Sequence, residues 1–321
     1  MVLEYTCLLN TFRFLELKDL CSLAGANSYT RRHTLEYIKR EIVIHLGVID
    51  WKKEPKARFR ALELSNRGFK VQLNLVGSHI DISLLSRIYD LNLNWCKGFE
   101  NEDLIHLQNV HSLSLDYCNQ ITDVLVLKNV HTLSLVACKI TDVSGLENVH
   151  HLNLRHYERI PDLKNLKYLK ELDLSCSSIS DVSALRHIHT LILSYCPNIV
   201  DVSPLKHVHT LILSHCSNLE NVSALGGVHT LYLRECQKIK DVSALGGVHH
   251  LELRYCENIK DVSKLGGVYH LDLEGCNGIV DVSALGGVHY LNLTSCYRIT
   301  DISALNEVST LIVDNYNIKT K

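Results

Sequence analysis

Two residue types capable of chemistry are unusually frequent in this chain of 321 residues: 12 cysteines and 19 histidines. Thiolates act as nucleophiles and soft metal ligands, and imidazoles as proton carriers and metal ligands. Spacing decides which chemistry is on offer. Cys196, Cys216, Cys236, Cys256, Cys276 and Cys296 recur every 20 residues, and His189, His209, His229, His249 and His289 keep the same interval, with Tyr269 in the missing place. A zinc centre would want close pairs such as C-x-x-C, and the sequence contains none. A catalytic thiol would be one distinctive cysteine, whereas these are interchangeable. A disulfide stack needs an oxidising compartment, and the start Met1-Val2-Leu3-Glu4-Tyr5 lacks the basic residues and apolar run of a secretory leader. Each cysteine is therefore expected as a small buried residue under the turn that leaves a strand. Each histidine is expected at the edge of the core, satisfying a backbone group of the neighbouring turn. Its replacement by Lys170, Tyr269 and Ser309 speaks against metal binding or a proton relay. Rings so close would repel one another when protonated near pH ~6.5, which predicts a pH-sensitive fold.

The elements that hold these ladders follow from the period. From Val228 the unit reads V-H-x-L-x-L-x-x-C-x-x-I-x-D-V-S-x-L-G-G. This pattern resembles the leucine-rich-repeat signature, with Val in the first apolar position. Paired leucines begin at Leu73, Leu91, Leu113, Leu133, Leu152, Leu172, Leu191, Leu211, Leu231, Leu251, Leu271, Leu291 and Leu311, which makes 13 units. Around each L-x-L, apolar and polar residues alternate, so a short strand turns its leucines one way and their neighbours the other. One such strand cannot bury its apolar face alone; stacking does it. At ~4.8 Å per strand the array spans roughly 60 Å. After the cysteine, apolar residues recur every third position, which suits a return arc of turns or 3₁₀ pieces. Asp241 and Ser243 fit the start of that arc and Gly246-Gly247 its end. The expected fold is an α/β solenoid: an arc with about 13 short parallel strands on its concave face, little convex helix and a small N-terminal helical cap.

Function must then lie in the outward positions. Trp95, Tyr117, Arg155, His156, Tyr195, Tyr232, Arg234, Glu252, Arg254, Tyr255, Asp272 and Glu274 mix aromatic rings, arginines and acids, a composition enriched at protein–protein hot spots. A formal charge of −2 lacks the positive excess of a nucleic-acid binder. No apolar run reaches the ~18 residues of a membrane span, and no isolated Ser/His/Asp set or phosphate-binding glycine motif suggests an enzyme or a cofactor. The expectation is a non-enzymatic protein-binding module in the cytoplasm or nucleus. Sequons at Asn221 and Asn292 look incidental, because Asn292 lies between buried leucines.

Residues 1–54 carry no repeat and divide the chain from the solenoid at 55–321. Apolar residues at helical spacing and a charged stretch from about Thr30 to His45 predict helices. The run Phe14-Leu15-Glu16-Leu17-Lys18-Asp19-Leu20-Cys21-Ser22-Leu23-Ala24 resembles the middle of the F-box. In that register Leu3 matches the family's opening leucine, and Leu8, Leu9 and Phe12 its first-helix positions, while Arg31-Arg32 lie close to its closing basic pair. Glu4 stands where the family has Pro, and its Trp is missing. The resemblance implies that Leu3, Leu8, Leu9, Phe12, Leu15, Leu17 and Leu20 meet a Skp-type adaptor of a ubiquitin ligase while the repeats hold the target; the other reading is a plain scaffold whose N-terminal helices cap the array. The repeats resemble both the cysteine-containing repeats of eukaryotic F-box proteins and internalin-type repeats. Such uniform units beside a degenerate F-box are similar to protein sets of large DNA viruses and some protists.

Overall fold

The computed structural model describes residues 43–50, 52–76 and 80–314, together with Glu36, Lys39 and Arg40 of a preceding helical turn. The strands are β1 (Val43–Asp50), β2 (Lys70–Val76), β3 (Asp90–Asn92), β4 (Ser112–Ser114), β5 (Thr132–Ser134), β6 (His151–Asn153), β7 (Glu171–Asp173), β8 (Thr190–Ile192), β9 (Thr210–Ile212), β10 (Thr230–Tyr232), β11 (His250–Glu252), β12 (His270–Asp272), β13 (Tyr290–Asn292) and β14 (Thr310–Ile312). They form one parallel sheet in which sequence order is spatial order. The register is strict: Leu211 pairs with Leu231, Leu231 with Leu251 and Leu251 with Leu271. Equal units stacked in equal register leave no alternative pairing that keeps the leucines inside.

The array starts earlier than the repeat count of 13 implies. Among the described residues there are 14 strands, and β1 lies inside the segment expected to be a helical cap. The helix expected from Thr30 to His45 gives way to strand at Val43, where V-I-H-L-G-V-I-D buries Ile44 and Ile49. A bulge between His45 and Val48, with Gly47 at φ +74°, lets β1 pair with β2. Between them runs α1 (Pro55–Asn66), begun by a proline that has no N–H to leave unpaired. Ser65 on α1 donates to the Arg87 carbonyl at 2.5 Å, fastening the helix to the next unit.

Later units return instead by 3₁₀ turns such as Ser183–Leu185, Ser203–Leu205 and Ser243–Gly247. Asp241 Oδ1 accepts from the Ser243 N–H at 2.9 Å and Asp281 Oδ1 from that of Ser283 at 2.9 Å, satisfying donors the turn would orphan. The Ser243 hydroxyl and then its N–H hold the Asp241 carboxyl below the usual carboxylate range, and the Ser283 N–H and then its hydroxyl do the same for Asp281. Successive arcs approach so closely that a Cβ on Gly246 would sit 2.2 Å from the Lys264 carbonyl oxygen, so only glycine fits.

Between sheet and arcs lies one continuous core of leucine, valine, isoleucine and cysteine. The cysteines take their expected place under the turn, each thiol donating to the second leucine carbonyl of the preceding unit: Cys236 to Leu213 at 3.1 Å, Cys256 to Leu233 at 3.0 Å, Cys276 to Leu253 at 3.0 Å. Burial pushes Cys96 up to about 11 and Cys236 and Cys256 up to about 12, so these thiols stay protonated and unreactive at neutral pH. Among the described residues the pattern breaks in two units. Tyr157 fills the cysteine position with its hydroxyl buried, and Ser177 takes it where Cys176 is displaced by one.

Candidate functional site

The side of the sheet away from the core is built from four columns of side chains, one member per unit. Three alternate with the buried leucines, represented in β11 and beyond by His250, Glu252 and Arg254. The fourth follows at once and forms a rim: Trp95, Tyr117, Ala137, His156, Cys176, Tyr195, His215, Glu235, Tyr255 and Ser295, all at φ between +54° and +64°, with Gly275 at +72°. That left-handed turn costs a non-glycine residue roughly 1–2 kcal/mol. It persists because each N–H reaches the next unit, as Tyr195 does to the Ser214 carbonyl at 2.9 Å and Tyr255 to that of Glu274 at 2.7 Å.

The twelve residues expected to meet a partner all fall on this open face or its rim, spread over β3 to β12 and the turns that follow. Trp95, 65% exposed, stacks on Tyr117 with centroids 4.0 Å apart, and Tyr195, 52% exposed, stacks on His215 at 4.1 Å. Arg155 and Asp173 lie 3.8 Å apart, and His156 is exposed on the rim. Only Tyr232, Arg234, Glu252, Arg254, Tyr255, Asp272 and Glu274 form one neighbourhood. There the Arg254 guanidinium reaches Asp272 at 2.9 Å, Glu252 at 3.4 Å and Glu274 at 3.4 Å. The Tyr255 hydroxyl donates to Glu274 at 2.5 Å, and the Arg234 guanidinium lies 5.5 Å from the Tyr255 ring. Asp272 is only 2% exposed and also accepts from Asn292 Nδ2 at 3.1 Å. Burial raises the pKa of Glu252 against the pull of Arg254.

Residue-by-residue reading of the sequence missed two members of this surface. Tyr290 and Asn292 share columns with His270 and Asp272, and His250, His270 and Tyr290 stack at 4.0 Å into a flat wall. Glu235, an outward position in the sequence pattern, stands on the rim. Writing the units under one another would have found both missing members.

Charge is also sorted. From β3 to β14 the open face carries Asp90 and Glu171 in its first column, Asp173, Glu252 and Asp272 in the second, Asp116, Glu274 and Asp314 in the third, and Glu235 on the rim. Against these nine carboxylates stand Arg155, Arg234 and Arg254, and no lysine. Nine minus three leaves six negative charges on a face of a chain that nets −2. The rest of the chain, at −2 minus −6, then nets four positive charges.

The histidine ladder differs from expectation. Its rings lie on the surface beside the strand starts and stack on one another: Tyr89, His111, His131 and His150 first, then, past Lys170, His189, His209, His229, His249, Tyr269 and His289, at 4.4–4.8 Å. Apart from His150, whose Nδ1 lies 2.8 Å from the Asn148 carbonyl oxygen, they bond no backbone group among the described residues, because the main chain pairs with itself there, as Thr210 N does with His189 O at 2.9 Å. Instead His189, His209 and His229 set Nδ1 3.1–3.2 Å from the hydroxyl of the following threonine. Partial burial and then the neighbouring rings lower the pKa of His131 and His209. Among the described residues no group of three or more His, Cys, Asp or Glu is arranged to hold a metal ion, and no helix is long and apolar enough to cross a membrane. Leu3, Leu8, Leu9, Phe12, Leu15, Leu17 and Leu20 lie outside the described residues.

The same architecture recurs in solved structures. An internalin, InlF, from Listeria monocytogenes superposes with a TM-score of 0.53 at 20% identity over 80% of this chain and 87% of that one. A Leptospira interrogans leucine-rich-repeat protein gives 0.53 at 20% identity over 79% and 80% of the two chains. The fold is a leucine-rich-repeat solenoid. A third likeness, to the functional domain of InlJ from Listeria monocytogenes, has a TM-score of 0.52 at 22% identity over 76% of this chain and 58% of that one, and that domain includes a cysteine ladder of its own. No protein-family model matches the chain. No curated protein matches it either.

Proposed function

We propose that the protein is a non-enzymatic recognition module whose open sheet face binds a protein target. The observation that carries this reading is the contrast between a uniform core and a face whose aromatic rings, arginines and acids change from unit to unit. Solenoids of this kind commonly present such a surface to partners, and an affinity concentrated in a few buried aromatic and arginine anchors fits the Arg254 neighbourhood. The test is selection of displayed random peptides against the full chain, followed by photo-crosslinking and mapping of the contact. Cross-links at Tyr232, Arg254 or Tyr255 are expected; cross-links confined to the 3₁₀ arcs would refute the reading.

The finer form of the proposal makes the protein a substrate receptor of an SCF-type ubiquitin ligase, with a Skp-type adaptor on the N-terminal segment. The F-box-like run Phe14 to Ala24 supports it. Because β1 is paired with β2, the adaptor assay belongs on the full chain rather than on residues 1–54. Adaptor binding that is lost in L15D/L20D is the expected result, and no binding by the intact chain leaves a plain scaffold.

A further inference from the structure

We infer that the open face around β10–β13 takes a basic polypeptide segment, with two Arg or Lys side chains seated against Glu252, Asp272 and Glu274. This rests on the open face being the binding surface, and it names the partner's chemistry. Three observations converge. Lysine is absent from the face between β3 and β14 although the chain holds 33 Lys and Arg, so the sign of the surface is segregated and not merely local. In this stretch three carboxylates share one guanidinium, leaving two negative charges in excess where solvent is partly excluded. An incoming cation relieves that cost, and complementary charge steers its approach. The wall of His250, His270 and Tyr290 beside it does not compete, since burial keeps both imidazoles below their ordinary pKa and neutral at physiological pH. The same field repels a nucleic-acid backbone.

The experiment is fluorescence anisotropy of the full chain with labelled ten-residue oligo-arginine and oligo-glutamate at low and high salt. Oligo-arginine is expected to bind and to weaken as salt rises. E252Q/E274Q should weaken it by about tenfold, about 1.4 kcal/mol, the loss of two charge pairs at largely buried carboxylates. E220Q/E257Q removes the same charge from exposed positions off this face and should leave affinity within about twofold. No binding of oligo-arginine, equal weakening by both variants, or binding of oligo-glutamate instead would overturn the inference. If peptides cross-linked to the open face prove neutral or acidic, this inference fails while the open-face reading stands.

Discussion

The two faces of each strand obey opposite rules. Inward, Leu231, Leu233 and Cys236 repeat in the next unit as Leu251, Leu253 and Cys256 and again as Leu271, Leu273 and Cys276. Outward, over the same three units, Tyr232 becomes Glu252 and then Asp272, and Glu235 becomes Tyr255 and then Gly275. One backbone therefore carries an invariant packing code and a free recognition code. The lesson is that a nearest-neighbour stack separates stability from specificity, and substitutions on the two faces should separate the same way.

The core side should break first. Leu251→Ala leaves a cavity between paired leucines and is expected to cost about 2–5 kcal/mol, read by chemical denaturation. A cost below about 1 kcal/mol would mean that the ladder is not close-packed. Next comes Gly246→Ala, where the added methyl meets the Lys264 carbonyl; a loss of about 1–3 kcal/mol is expected, against a smaller loss for Gly227→Ala, whose added Cβ would lie 3.4 Å from the Lys206 carbonyl oxygen. Smaller still is the pH effect. His111, His131, His209, His250 and His270 titrate below their ordinary value in the fold, so the unfolded chain binds more protons in that window. Stability is complete above the unfolded pKa of ~6.5 and falls as pH drops below it. Melting at pH 7.5 and 5.5 should give a lower midpoint at 5.5, and equal midpoints would remove the effect.

The parts legible in the sequence are those coded within one unit. Strands β2 to β14, the 3₁₀ returns, the Asp241–Ser243 turn and the cysteine position all follow from the leucine repeat, whose period settles at 20 in the later units. The first unit escaped because α1 stretches it to 27 residues from Val43 to Lys70, so no repeat aligned with it. The histidine rings were misplaced because their position is settled by stacking between units, which no single unit encodes. The left-handed rim was invisible for a related reason. Trp, Tyr, His, Glu and Cys occupy it, and what forces their backbone is the N–H reaching the neighbouring strand rather than any preference of the residue. The acidity of the open face was hidden in a total charge of −2, where the rest of the chain offsets most of it.

The separation of the two codes can be measured in one variant. R234A/E252A/Y255A alters only outward residues of neighbouring units, leaves Arg254 on the buried Asp272, and should melt close to the parent, since the removed groups are partly exposed and their ion pairs contribute little to folding. Peptides selected by the parent chain should lose at least tenfold in affinity for it, about 1.4 kcal/mol or more. A variant that melts like the parent and still binds them would contradict the claim that the open face is the recognition surface.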